Sequence, residues 1–288
     1  MSEAPNPDPR WEDWIGREQT VADTIDLDRA RAMQATLDDG AAALAPGDPL
    51  PPLWHGLYFW WVEPASALGP DGHPARGGFL PSIELPRRMW AGSRVIFHRP
   101  VPIGAKAVRR SVIADVRSKT GRSGRLMFVT VRHEIAVEGA ACIEDEHDIV
   151  YREAPSGPAA KAPPGDPAPG TAAWRRVARP DPVLLFRYSA LTFNGHRIHY
   201  DRPYATGVEG YPGLVVHGPL LATLMIEQVR AAWPRERVGR FSFRALRPIF
   251  DTAPFTVAGQ PDGDGQGADV WVADSDGLLA MRGRVELS

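Results

Sequence analysis

The sequence predicts an α+β chain in two similar halves, each a helix with long antiparallel strands curled around it. Three observations predict it. A Pro-, Ala- and Gly-rich stretch, Ala154–Gly170 (APSGPAAKAPPGDPAPG), cannot hold a packed core and reads as a semi-extended linker between Met1–Glu153 and Thr171–Ser288. The second half carries one strong helical pattern, His217–Trp233. Alternating apolar and polar residues run through much of what precedes the linker and follows that helix.

In the first half, Asp28–Leu37 predicts a helix, with Ala30, Met33 and Leu37 on one face. Trp90–His98 and Val108–Val116 read as strands. From Met127 the alternation is clean: Met127, Val129, Val131, Ile135 and Val137 point one way, and Arg132, Glu134 and Glu138 the other. SKTGRSGR, Ser118–Arg125, reads as a turn between strands and lacks the spacing of a phosphate-binding loop. The second half opens with an expected β-rich run, Pro182–Phe193, in which Tyr188 and Phe193 are core aromatics of a strand. A polar segment, Asn194–Gly207, follows. In the helix, Gly218 suits the cap and Pro219 the first helical position. Leu221, Leu224, Met225, Gln228, Val229 and Ala232 form a stripe, and Pro234 stops the helix. Strands are expected over Val238–Pro248, Pro254–Gly259, Ala268–Ala273 and Leu278–Leu287.

Composition excludes several classes. The 288 residues suffice for two domains and a sizeable core. With 33 Lys+Arg against 35 Asp+Glu, the net charge of −2 excludes a strongly basic nucleic-acid binder. A single cysteine, Cys142, excludes an intramolecular disulfide framework and a multi-cysteine zinc site. The first residues, MSEAPNPDPRWEDWIGREQT, have no apolar core of a signal peptide, and no apolar run approaches the roughly 18 residues of a membrane span. A soluble, cytoplasmic protein without nucleic-acid or membrane partners is the expectation.

Chemistry concentrates between Arg187 and Leu220, RYSALTFNGHRIHYDRPYATGVEGYPGLVVHGPL. Read as Tyr188-SALTFNGHRI-His199-Tyr200-Asp201 with His217-Gly218 downstream, this segment resembles the (R)-specific enoyl-thioester hydratases, the hydratase 2 or MaoC-like family. That family carries a pattern of the form Y-x-x-x-S-G-D-x-N-P-x-H-x-D, followed by H-G at the start of its central helix. The whole chain is more similar to a two-domain branch with a degenerate N-terminal half, which includes mesaconyl-C4-CoA hydratases and mitochondrial-type 3-hydroxyacyl-thioester dehydratases. HGLYFWW, DGHPARGGFLP and LPRRMWAGSRVIFHRPVPIG look like that half. The resemblance implies a double hot dog: a degenerate domain over 1–153, the linker 154–170, a catalytic domain over 171–288, and two sheets around two long helices. It implies an acyl-CoA substrate, no cofactor beyond the CoA of that substrate, and compatibility with a homodimer of such subunits.

Hydrating a C=C conjugated to a thioester needs a base for water, an acid for the α-carbon and donors for the enolate-like oxygen. His199 is the expected acid/base, because an unperturbed imidazole titrates near working pH. Asn194 stands where the family has its catalytic Asp. An amide cannot act as a base, so Asn194 would orient water or substrate while His199 handles both protons. Gly218 would donate its N–H to the thioester oxygen, aided by the helix dipole.

The remaining assignments are candidates. Arg197 suits a distal carboxylate, since a planar guanidinium binds one bidentately. His217 packs at the helix start and at most supports the substrate site. Arg247, with Arg240 and Arg244, is a candidate for the CoA phosphates, Arg240 and Arg244 sharing a face of their strand. His196 reads as a turn cap and Asp201 as the cap of the segment beginning RPYA. No metal site is expected, because nothing completes His196-x-x-His199-x-Asp201. Beside a hydro-lyase for a small branched or carboxylated enoyl-CoA stand three other readings. They are a 3-hydroxyacyl-thioester dehydratase of fatty-acid metabolism, a hot dog thioesterase using a helix-borne carboxylate such as Glu227, and a non-catalytic acyl-CoA binder.

Overall fold

The computed structural model describes residues 10–38, 40–121, 124–153 and 165–288. Ten strands form one antiparallel sheet: β1 (Glu18–Thr24), β2 (Arg87–Phe97), β3 (Lys106–Gly121), β4 (Gly124–Val137), β5 (Ala140–Arg152), β6 (Trp174–Ala178), β7 (Val238–Ala245), β8 (Phe255–Pro261), β9 (Gly267–Ala273) and β10 (Leu279–Leu287). Their order is β1-β3-β4-β5-β2-β7-β10-β9-β8-β6. The helices are α1 (Leu27–Leu37), α2 (Pro182–Leu191) and α3 (Gly218–Ala232). This is a double hot dog, with one correction to the expectation of two sheets. The halves fuse where β2 pairs with β7, from Gly92 opposite Arg244 to Ile96 opposite Arg240.

In the first half, α1 buries Ala30, Met33 and Leu37 as predicted, and Asp26 caps it by accepting from the Arg29 N–H at 2.8 Å. β4 buries Met127, Val129, Val131 and Ile135 while Arg132 and Glu134 face water. Of the expected turn over Ser118–Arg125, the residues up to Gly121 belong to β3 and those from Gly124 to β4. The linker reading over 154–164 lies outside the described residues. Residues 165–170 are not free spacer: Pro167 bridges Leu278, and the Ala168 N–H donates to the Gly277 carbonyl at 2.9 Å.

The second half departs from expectation at Pro182–Phe193, which is helix α2 rather than strand. Short apolar runs do not discriminate helix from strand by periodicity. The Asp-Pro pair that starts this one does: Asp181 accepts from the Val183 and Leu184 N–H groups at 2.8 and 3.0 Å, and Pro182 takes the first helical position. Tyr188 is therefore a buried helix residue, and Phe193 is exposed at φ 51° with its ring stacked on Trp60.

Helix α3 lies against β8, β9 and β10. It is buried on nearly all sides from Leu220 to Val229, not along a stripe, and Ala232 is exposed. Each buried Leu, Met, Ile or Val contributes about 1.5–3 kcal/mol. The enclosure fixes the helix so that its N-terminus faces the junction of the two halves. The cap is His217 and Gly218 is the first helical residue, one position earlier than expected.

Candidate active site

Three segments meet at the N-terminus of α3. The first is the turn between α2 and the 3₁₀ segment Arg197–His199. The second is the α3 N-terminus itself. The third is a loop of the first half, Gly69–Arg76. This loop is joined to the turn: the Arg197 N–H donates to the Asp71 carbonyl at 2.9 Å, and a Cβ on Gly72 would sit 2.0 Å from the Gly195 carbonyl oxygen. Only glycine allows that approach, and at φ +86° Gly72 also holds a backbone that L side chains resist.

His199 is buried, and its Nδ1–H donates to the Val215 carbonyl at 2.7 Å. That bond fixes the tautomer, leaving Nε2 unprotonated and available as a base. Burial pushes the His199 pKa down to about 4, against the backbone bond that raises it, so the ring is neutral at neutral pH. His217 lies behind it, ring on ring at 3.7 Å and 18°. His217 is fully buried and shares a 2.8 Å hydrogen bond with Ser189 through Nε2. It therefore packs behind His199 and does not line the cleft, so the structure does not bring it among the candidate substrate-binding residues.

The Asn194 Oδ1 accepts from the His196 N–H at 3.0 Å. Its Nδ2 hydrogens bond no described residue, so the side chain faces the cleft as a donor. The Gly218 N–H likewise bonds no described residue, as the first position of a helix leaves it. Trp90 closes the space beside it: a Cβ on Gly218 would lie 2.9 Å from the indole Cε3. A bulge between Trp90 and Gly92 aims this indole, whose ring also packs on Phe243 at 4.9 Å.

Arg197 does not serve a substrate carboxylate. Its Nε and Nη2 bond Asp201 at 2.9 and 2.8 Å, its Nη1 donates to the Pro70 carbonyl at 3.0 Å, and it covers the Tyr204 ring. The guanidinium is spent on tying the turn to the loop. Asp201 also accepts from the Tyr204 N–H at 3.1 Å, the capping role expected of it. Arg247 lines the cleft near Gly165, 3.9 Å from Asp274. Arg244 lines it too, directly opposite Arg282 on β10. Arg240 stays outside, near Glu286 at 3.9 Å. The helix carboxylate of Glu227 is occupied by the Trp54 Nε1–H at 2.9 Å and Arg230 at 2.5 Å, which leaves it no role as a base.

Sequence reasoning missed Asp71 and His73. His73 stacks on His196 at 4.1 Å and shares a 3.2 Å hydrogen bond with Asp71. Burial lowers the His73 pKa and pushes that of His196 down to about 2, so both rings are neutral. Ligand atoms of Asp71, His73 and His196 lie within 4.8 Å of one another, near enough to hold one divalent cation. The DGHP turn was the signal, unread because its partner stands more than a hundred residues away.

A neutral, tautomer-locked histidine and an unbonded helix N-terminal N–H line one cleft of the double hot dog, and the family match and relatives make the chain a hydro-lyase acting on thioesters. The chain belongs to the hydroxyacyl-thioester dehydratase type 2 family, whose profile matches residues 53–251. It is 51% identical over 277 residues to the mesaconyl-C(4)-CoA hydratase of Chloroflexus aurantiacus, covering 96% of this chain and 98% of that one. It is 30% identical to the mitochondrial hydroxyacyl-thioester dehydratase type 2 of Schizosaccharomyces pombe, covering 87% and 89%. Among solved structures, a MaoC-like dehydratase of Phytophthora capsici shares the fold with a TM-score of 0.71 at 14% identity, covering 96% of this chain and 98% of that one. HtdX of Mycobacterium tuberculosis does so with a TM-score of 0.65 at 20% identity, covering 94% and 100%. Among the described residues no helix is long and apolar enough to cross a membrane.

Proposed function

We propose that the protein hydrates a small, branched, carboxylated enoyl-CoA of the mesaconyl-C4-CoA type, reversibly and without a cofactor beyond the substrate's CoA. The observation that carries this reading is the His199 Nε2, freed by the Nδ1 bond to Val215 and set beside the Gly218 N–H. The 51% identity to a mesaconyl-C(4)-CoA hydratase supports the choice of acyl group.

In this reading the thioester oxygen accepts from the Gly218 N–H, and the helix dipole favours the negative charge that grows there. Asn194 donates from Nδ2 to the attacking water. The His199 Nε2 takes a proton from that water as its oxygen bonds the β-carbon. The resulting imidazolium returns the proton to the α-carbon as the enolate collapses. One water is consumed, and His199 ends neutral. The cations Arg244, Arg247 and Arg282 in the same cleft suit the CoA phosphates.

A second reading, dehydration of 3-hydroxyacyl thioesters in fatty-acid metabolism, is favoured by the 30% identity to the yeast mitochondrial enzyme. The purified protein with mesaconyl-C4-CoA, itaconyl-CoA and crotonyl-CoA separates the two. Loss of conjugated thioester absorbance with gain of one water, fastest on a carboxylated substrate, supports the first reading. Turnover of crotonyl-CoA alone supports the second. Release of free CoA contradicts both.

A further inference from the structure

The inner face of the first half carries a polar row between two apolar clusters. One cluster holds Ile113, Met127, Val129 and Val131; the other holds Val95, Ala107, Ile135 and Ile143. Between them, Ser111 stands opposite His133, His133 opposite Asp145, and Ser93 opposite His147. Asp145 is buried, and its Oδ2 bonds His147 at 2.8 Å and His55 at 3.0 Å. His133 bonds Ser111 at 2.7 Å and packs its ring on His147 at 4.5 Å.

Arg109 projects from β3 into this row, over the Phe59 ring at 5.6 Å. Burial lowers its pKa, and Asp145 is the charge that offsets this. Its guanidinium makes no hydrogen bond or salt bridge to any described residue, and its Nε is buried without a partner. The Ser93 Oγ and Trp90 Nε1 are buried and unpartnered as well. Unsatisfied buried donors are rare in folded proteins and costly, each about 1–3 kcal/mol. Here three such donors sit on residues that line one cleft, and Asp145, the anion nearby, bonds two imidazoles through Oδ2 while its Oδ1 stays unpartnered.

That space adjoins the active site. The Trp90 indole meets Gly218 on one side and the His147 ring on the other, at 6.0 Å. An acyl group whose thioester oxygen rests on the Gly218 N–H has the polar row one aromatic ring further in. We propose that Arg109, with donors from Ser93 and Trp90, binds the distal carboxylate of a short dicarboxylic acyl thioester and sets the enzyme's preference for it. This assignment rests on the hydratase reading for the placement of the acyl group, and it gives Arg109 the role that Arg197 cannot fill.

The test uses unreactive saturated pairs, succinyl-CoA against butyryl-CoA and glutaryl-CoA against valeryl-CoA, titrated calorimetrically into the full-length protein and its Arg109→Gln and Arg109→Lys variants. A charged hydrogen bond predicts that the wild type binds the carboxylated member of at least one pair about 10- to 100-fold more tightly. Arg109→Gln should bring that ratio close to one. Arg109→Lys, which keeps a cation in the same place and the packing nearly intact, should retain a reduced part of it. Equal affinity within both pairs in the wild type overturns the assignment without any variant, as does an undiminished ratio in folded Arg109→Lys and Arg109→Gln proteins. Binding preference is read apart from turnover. A wild type that hydrates crotonyl-CoA but shows no preference loses the carboxylate site and keeps the hydratase reading; the reverse pattern keeps the site and removes that reading.

Discussion

The imidazoles of His199 and His217 lie parallel, 3.7 Å apart, and only one of them faces the cleft. His199 presents Nε2 outward because Val215 holds Nδ1; His217 is sealed behind it with Ser189 on its own Nε2. One ring lines the cleft and the other packs behind it, fixing its plane.

The stack makes a prediction about Ser189 and His217. His217→Phe keeps a flat ring under His199 and should hold kcat within about tenfold of wild type, whereas His217→Ala opens a cavity and should lower both kcat and the melting temperature. Ser189→Ala leaves a buried imidazole nitrogen unpaired and should cost about 1–3 kcal/mol of stability. A split of kcat against KM separates positioning from binding. If His217→Phe and His217→Ala lose the same activity, the ring is more than a support.

Asn194 predicts a tolerated change to Asp. Either carboxylate oxygen can accept the His196 N–H, as Oδ1 does now at 3.0 Å, and the other then faces the cleft as a second base. Asn194→Asp should keep or raise kcat and add an acid limb to its pH profile. A loss of more than about tenfold in the folded variant would mean that the amide donor itself is required.

Gly218→Ala places a methyl 2.9 Å from the Trp90 ring, beside the N–H proposed to hold the thioester oxygen. The indole or the helix start must shift. Displacing an oxyanion donor predicts a fall in kcat of about 10²-fold, checked by steady-state kinetics beside indole fluorescence. Unchanged kinetics would remove Gly218 from the oxyanion role.

Burial of His199 predicts two pH effects. The free-enzyme limb in kcat/KM should fall near pH 4, where His199 gains its proton, and not near 6.5. Stability follows the same ring. Its folded pKa lies below the unfolded value, so the unfolded chain takes up the proton first. Stability is full above about pH 6.5 and is lost as pH falls toward 4. At 1.36 kcal/mol per pH unit the loss from 6.5 to about 4 is about 3 kcal/mol. His73, His133, His196 and His217 are lowered in the same direction and steepen it. Denaturant titrations from pH 7.5 to 4.5 measure it, and flat stability would contradict the burial of these rings.

These residues also show what a sequence can carry. That His199, Asn194 and Gly218 gather at one cleft was legible because they sit within one continuous segment whose order and spacing survive in the chain. Helix α3 was legible from its apolar density and from Pro219 and Pro234. Helix α2 was not, since VLLF suits either structure and only the Asp181 cap decides. Arg197 had the right chemistry for a carboxylate, but sequence does not show that Asp201, a turn away, already holds it. Asp71, His73 and Arg109 reach the site only through sheet pairing and loop docking, contacts between positions far apart in the chain, which local patterns do not encode.

The most direct test of the account is the turnover of His199→Ala on mesaconyl-C4-CoA, beside the wild type, with its unfolding transition recorded. The account predicts a fall in kcat of about 10²-fold or more with a cooperative unfolding transition retained. Near-normal turnover by that folded variant would take His199 out of the reaction and contradict the central claim.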